Sequence, residues 1–424
     1  MNQSGEQTIL YVLDYYPPYI VGGAEVSTSH IVDIASKQYR TLVLTGKLQP
    51  AKWIRNGATI YPEMINVRIT NSSLLNKLQY LIGAIYAPIV NSFCLYRIIR
   101  DENVDLIHLV PSSYHTIPLI IVALLMGKSV VVDVRNYSLL CPVSRTAGKC
   151  SKYFGIKCSD CLMVSYKIDS KILKLLKPLV VIYELLLFNF YVFLLRRIVR
   201  NDSMSIFVAN SEYVRKELIA GGFPSERIRV IYNIADRYEK LKENRLNRII
   251  FAGSLEKSKG VWDAIKGFEL RRKKEYTLEI AGEGKEKDDI LAYIKNRGIN
   301  NIVLIGKISH ESVIDLYATS KIILAPSVWN EPFGRFILEA ISTKTPLITT
   351  RTGGTPEGII NMKTGILVEA GRPDQICDAI NNLTEDEELY ARIQSSLDSE
   401  REKYSAEKIG KKRMELYSQL LKRN

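Results

Sequence analysis

The sequence predicts an α/β protein made of two doubly wound domains in series, with a cleft between them. Three observations carry this. Short runs of Val, Ile and Leu recur along the chain and are continuous rather than alternating, which marks strands buried on both faces of a parallel sheet. Helical patterns separate successive runs, as right-handed βαβ crossovers require. The series then breaks at a polar, mostly charged stretch, Ala235–Asn247, and restarts after it. A chain of 424 residues has room for two such domains.

In order, the first domain (1–235) holds strands at Thr8–Leu13, Thr41–Leu44, Val67–Thr70, Leu106–Val110, Val130–Val134, Ile206–Ala209 and Arg229–Tyr232. The second (236–405) holds them at Ile249–Phe251, Leu278–Ala281, Ile302–Ile305, Ile322–Ala325, Pro346–Thr349 and Ile366–Val368. A basic helical tail, 406–424, is expected to pack back on the first domain. In sheets of this kind ligands bind beyond the carboxyl ends of the strands, so the loops that follow them are where chemistry is sought.

Three features interrupt the alternation. Leu74–Ile99 has Leu78, Leu81, Ile82, Ile85 and Ile89 at helical spacing and reads as a core-facing helix. Cys141–Cys161 is loop-like and gathers Cys141, Cys150, Cys158 and Cys161, with a C-x-x-C pair at its end. In a chain without a secreted-scaffold cysteine pattern, this set suggests one structural zinc, the alternative being reduced thiols in a packed loop. The third, Pro178–Leu195, is apolar almost all round and long enough to ask whether it spans a bilayer. Glu184 and Asn189 fall within it, and a single crossing would separate strands that belong to one sheet. Basic residues flank it: Lys167, Lys171, Lys174 and Lys177 before, Arg196, Arg197 and Arg200 after. The segment 165–200 therefore reads as contact with an anionic membrane surface, against a plain buried helix.

Charge is uneven. The net formal charge is +13, and most of the excess lies in the first half. A basic first half beside a near-neutral second half implies different partners for the two, such as anionic lipid or a phosphate-bearing acceptor for the first. Nucleic acid is set aside, because no aromatic-basic module is present. The polar start MNQSGEQ is read as lacking a signal peptide, which places the chain in the cytoplasm, peripheral on the inner face of the cell membrane.

Glycine-rich loops follow the strands. Gly22-Gly23 stands where the first helix should open, and backbone N–H groups there could meet a phosphate. After the linker, FAGSLEKSKG brings Gly253, Lys257 and Lys259 to a strand end, and AGEG brings Glu283 to the next. Then LAPSVWNEPFGRFILEAI places Glu331 in a loop and Glu339 inside the helix that follows. A carboxylate facing phosphate is repelled, so these two more plausibly accept hydrogen bonds from sugar hydroxyls. TTRTGGTPE adds Gly353-Gly354 and Glu357.

The series GGAE, G-x-L-x-x-x-K-G, A-G-E-G, P-S-x-x-N-E-P-F-G-x-x-x-L-E-A and G-G-x-P-E, in that order over residues 22 to about 368, resembles the retaining GT-B glycosyltransferases of family four, also called group 1. The resemblance implies a hexosyltransferase using a nucleotide-diphosphate sugar. It implies that Glu331 contacts the donor sugar near the reacting carbon and that Glu339 binds the ribose. Lys259 would neutralise the diphosphate, and Gly22, Gly23, Gly253, Glu283, Phe333, Gly334 and Arg335 would line the donor site. His108 matches the first histidine of the family's H-x-H strand end and would be catalytic.

Departures are visible: the second histidine position is Val110, the arginine preceding the lysine is Ser254, and the acidic residue before Tyr137 is Asn136. A diphosphate leaving group needs positive charge rather than a strong acid, and no D-x-D cluster stands at a strand end, so no catalytic cofactor or metal is expected. The expected acceptor is a lipid-linked or cell-envelope glycan. The alternatives are a sugar-nucleotide epimerase of the same fold and a degenerate, non-catalytic partner subunit.

Overall fold

The computed structural model describes residues 7–19, 23–47, 51–65, 74–143, 158–165, 171–235, 238–239 and 245–422. The chain divides into two compact units, Met1–Tyr232 with Gly410–Asn424, and Asn233–Ile409.

The first unit runs β1 (Thr8–Val12), α1 (Gly23–Ala35), β2 (Arg40–Gly46), β3 (Trp53–Arg55), β4 (Ala58–Met64), α2 (Leu74–Asp101), β5 (Leu106–Leu109), α3 (Ile117–Leu125) and β6 (Ser129–Val134). It continues with α4 (Cys158–Ser165), α5 (Lys171–Asn201), β7 (Ser205–Ala209), α6 (Glu212–Ala220) and β8 (Ile228–Val230). The strands form one sheet in the order β3-β4-β2-β1-β5-β6-β7-β8. Strands β1, β5, β6 and β7 are buried at every residue, which is why they read as unbroken apolar runs. The chain winds from β1 to β2 in one direction and from β5 through β8 in the other. Right-handed crossovers therefore place α1 on one face of the sheet and α2, α3 and α5 on the opposite face.

The second unit runs β9 (Leu246–Ala252), α7 (Val261–Leu270), β10 (Thr277–Ala281), α8 (Lys287–Asn296), β11 (Ile302–Gly306), α9 (His310–Thr319) and β12 (Ser320–Ala325). Then come α10 (Arg335–Thr343), β13 (Leu347–Thr350), β14 (Ile366–Val368), α11 (Pro373–Glu385) and α12 (Glu387–Lys403). Its strands are all parallel, in the order β11-β10-β9-β12-β13-β14. A last helix, α13 (Ala406–Leu421), belongs to the first unit from Gly410 onward.

The expected strand Val67–Thr70 lies outside the described residues; among those described, one edge of the first sheet is the antiparallel hairpin β3–β4. Its turn is Asn56-Gly57, with φ of 46° and 82°. Positive φ at both central residues suits the right-handed strand twist, and Asn-Gly is the sequence signal for it. The helix over Leu74–Ile99 forms, but it does not simply face the core: Ile89 is 69% exposed.

Helix α13 is held by a buried polar cluster. Tyr11 donates to Tyr417 Oη (3.1 Å), and Tyr417 donates to His108 Nδ1 (2.5 Å). The Nε2–H of His108 then faces Asp133 Oδ2 at 3.3 Å. Asp133 also pairs with Arg135 (2.7 Å) and Arg413 (3.2 Å). Burial opposes ionisation of Asp133, but the two guanidinium groups and His108 outweigh it and hold its carboxyl well below the usual range. For His108 burial dominates and lowers its pKa to about 4, with Asp133 opposing that shift in part. The imidazole is therefore neutral, with one nitrogen accepting and the other donating, as its two partners require.

Two outcomes follow. Asp133→Ala leaves two buried guanidinium groups without a counter-charge and should cost about 3–5 kcal/mol in urea unfolding. Tyr417→Phe removes two buried hydrogen bonds, to Tyr11 and to His108 Nδ1, and should cost about 1–3 kcal/mol. Because His108 is depressed below its ordinary 6.5, the unfolded chain takes up a proton that the folded chain refuses. Stability should thus fall as pH drops from 6.5 toward about 4, and His108→Gln should flatten that slope.

Candidate active site

The strand order of the second sheet reverses between β9 and β12, and the loops beyond their carboxyl ends meet at that point. This is where an open parallel sheet binds ligands. The loop after β9 carries Lys259 and the loop after β12 carries Glu331, 2.8 Å apart as an ion pair.

Glycines make the approach possible. Gly260 has φ +72°, and a Cβ there would lie 1.8 Å from Pro326 O. The backbone N–H groups of Val328 and Trp329 both donate to Ser258 O, at 2.9 and 3.2 Å, which seats one loop on the other. From the next strand, Gly353 (φ +56°) packs so closely that a Cβ would meet Glu331 O at 2.2 Å, and Gly354 N donates to that same oxygen at 2.7 Å. The Glu331 backbone is thus held by the loop after β13.

The carboxylate itself is buried and one of its oxygens is crowded. Ser327 Oγ (2.8 Å), Trp329 Nε1 (2.6 Å) and Lys259 Nζ (2.8 Å) all donate to Oε1. Oε2 receives none of these bonds. Lys259 Nζ also stands 4.6 Å from the centre of the Trp329 ring, a favourable cation–π distance.

Helix α10 opens at Gly334 and carries the second carboxylate. Arg335 Nε donates to Glu339 Oε1 at 2.9 Å, one turn along the helix. His310, at the start of α9, closes the group: its Nε2 lies 3.2 Å from Arg335 Nη2 and its Nδ1 lies 3.7 Å from Glu339 Oε1. His310 had no pattern in the sequence to single it out. Its place follows from α9 lying against α10, a tertiary fact.

The remaining expected site residues are distributed as follows. Phe333 is buried and packs on Tyr404, with ring centres 5.9 Å apart. Gly253 follows β9 and donates its N–H to Ala281 O (3.0 Å), while Gly282 and Gly284 pack against the backbone of Gly253 and Leu255. These glycines serve close backbone approach between loops. The Glu283 side chain is turned to the surface and pairs with Lys287 at 2.8 Å. Gly23 opens α1, and Gly22 lies outside the described residues.

One expectation is corrected. His108 is fully buried and both ring nitrogens are engaged by Tyr417 and Asp133, so it cannot reach a substrate; it belongs to the cluster that holds α13. The described residues contain no group of three or more His, Cys, Asp or Glu side chains able to hold a metal ion. Cys158 and Cys161 lie on α4 and Cys141 is buried, while Cys150 lies outside the described residues, so the expected four-thiol set is only partly within them.

Residues 233–396 match the family model of glycosyl transferases group 1. The match begins where the second unit begins and contains Lys259, His310, Glu331, Arg335 and Glu339. Over this stretch the chain is similar to the group 1 glycosyltransferases. N-acetyl-alpha-D-glucosaminyl L-malate synthase of Bacillus anthracis is 31% identical over 214 residues, covering 47% of this chain and 55% of that protein. The chain thus matches about half the length of this relative. Among solved structures, Anabaena HepE in complex with UDP superposes with a TM-score of 0.65 at 17% identity, covering 97% of this chain and all of that one. Sucrose-phosphate synthase of Thermosynechococcus elongatus gives 0.70 at 14% identity over 99% of this chain and 100% of that one. The fold is GT-B, with two Rossmann-like units.

The group 1 pattern sits on a backbone that tolerates little change. Gly260→Ala would force a left-handed residue, costing about 1–3 kcal/mol, and would add the overlap with Pro326. A lower urea midpoint and a displaced Trp329 emission are the expected outcome; unchanged values for both would show that the Ser258–Trp329 seating is not needed.

Proposed function

We propose that the protein is a retaining, metal-independent glycosyltransferase that moves a hexose from a nucleotide-diphosphate sugar to a lipid-linked or cell-envelope glycan at the inner face of the cell membrane. The observation that carries this reading is the Lys259–Glu331 pair at the switch point of the second sheet, within the residues that match the group 1 family.

The residues suit the chemistry. Transfer passes through an oxocarbenium-like state as the bond to the diphosphate breaks, so the site must stabilise negative charge on the leaving group. Lys259 is partly exposed and can turn its ammonium from Glu331 to a phosphate. Glu331 does not then become an orphan, because Ser327 and Trp329 still hold its Oε1. Its Oε2 would accept from sugar hydroxyls. Arg335 and Glu339 likewise hold each other in the absence of ligand, and a ribose would engage the carboxylate that Arg335 orients. Retention is the outcome the group 1 pattern implies. Uneven charge, with the basic excess in the first half, supports an anionic acceptor surface there.

The test separates binding from turnover. Glu331→Ala should lower turnover by roughly 10²-fold or more while nucleotide binding changes little. Glu339→Ala should mainly weaken binding of UDP, by about 1.5–3 kcal/mol. The product anomer, read by NMR, checks retention. Release of an epimerised nucleotide-sugar instead of transfer would favour the epimerase reading. Wild-type turnover in both variants would end the assignment.

A further inference from the structure

We infer that the first unit docks on an anionic bilayer through a two-helix apolar face built by α2 and α5 together, with α5 lying along the membrane rather than crossing it. The inference deepens the membrane part of the proposed function and rests on none of the donor-site residues.

Helix α5 contains a stretch, Lys177–Asn201, long and apolar enough by length and composition to cross a membrane. Its side chains sort into two stripes. Val181, Glu184, Phe188, Val192, Leu195 and Val199 recur at helical spacing and are buried. Phe188 meets Tyr114 edge-on, with ring centres 5.6 Å apart, and the helix packs on α3. Asn189 spends its amide on Leu185 O at 2.7 Å. A helix with one face committed to the protein core in this way cannot be surrounded by lipid.

The opposite stripe is apolar and exposed: Leu179, Ile182, Leu186, Phe190 and Phe193, with Leu186 65% and Phe193 63% exposed. From Leu179 to Phe193 there are fourteen helical steps, about 21 Å at 1.5 Å per residue. Helix α2 repeats the arrangement. Tyr86, Ile89, Phe93 and Tyr96 stand on one exposed stripe, while Ala87, Leu95, Ile98 and Ile99 are buried. Both helices pack on α3, on the face of the sheet opposite α1, so both stripes belong to one side of the first unit.

Exposed apolar side chains in this number mark an interaction surface. Charge selects the occupant. Lys177 precedes the α5 stripe, and the exposed Arg197 and Arg200 follow it. The acidic residue of that stretch, Glu184, is turned inward and buried. An apolar stripe ended by cations, with no outward carboxylate between them, fits the boundary between acyl chains and anionic headgroups. The aromatic rings of Tyr86, Tyr96 and Tyr183 suit the same depth.

The test uses the full chain and vesicles of phosphatidylglycerol and phosphatidylcholine in equal parts, with pure phosphatidylcholine beside them. The wild type should cosediment with the mixed vesicles and much less with the neutral ones, and added salt should weaken the binding. I89E/F93E on α2 and L186E/F190E on α5 should each weaken it by more than about tenfold, a loss of 1.4 kcal/mol. Both pairs are exposed, and an unchanged UDP-induced thermal shift in each variant keeps the donor reading separate from this one. No binding by the wild type would overturn the inference. So would an effect of the α5 pair alone, which would remove α2 from the surface. A wild type that sediments as a dimer without lipid, and a monomer in either variant, would assign the face to a second copy of the chain instead.

Discussion

The parallel order of the second sheet is the constraint on which the site depends. Because the chain winds outward from β9 on one side and from β12 on the other, two loops far apart in sequence must meet beyond the same pair of strands. Lys259 and Glu331 are separated by 72 positions and lie 2.8 Å apart for that reason. Their meeting requires backbones closer than any side chain permits, and glycine supplies it at Gly260 and Gly353. What looks like a phosphate-binding glycine motif in the sequence is in large part a packing requirement between loops.

Electrostatics in the two units follow opposite logic. In the first, Asp133, Arg135, Arg413 and His108 are sealed from water, and their charges serve to fix α13 against the sheet. In the second, the carboxylates of Glu331 and Glu339 are also buried, but their partners Lys259 and Arg335 are partly exposed. The same residue types are sealed from water in one unit and reach it through their cations in the other. His108 shows how burial decides the case: with neutral imidazole and both nitrogens engaged, it is a link in a hydrogen-bond chain rather than a proton carrier.

The helices α2 and α5 show a third use of apolar surface. In each, one stripe completes the core of the first unit and the other is left facing outward. A helix that is apolar all round is ordinarily buried or membrane-spanning; here its two faces have different surroundings.

The sequence by itself determined the fold class, the two-unit division and the strand runs, because burial on both faces of a parallel sheet leaves unbroken apolar segments that are visible in one dimension. It also singled out Lys259, Glu331 and Glu339, since strand ends, glycines and carboxylates in fixed order are local patterns. It missed the hairpin at Asn56-Gly57, because the three-residue strand Trp53–Arg55 is too short to stand out as an apolar run. Only the tertiary structure decided which polar groups are reachable. That His108 is sealed under Tyr417, 309 positions away, and that His310 rests on Arg335 and Glu339 depend on helices docking across long stretches of chain. Which stripe of an apolar helix faces out is likewise set by its neighbours, because side-chain periodicity fixes the spacing of a face and not its surroundings.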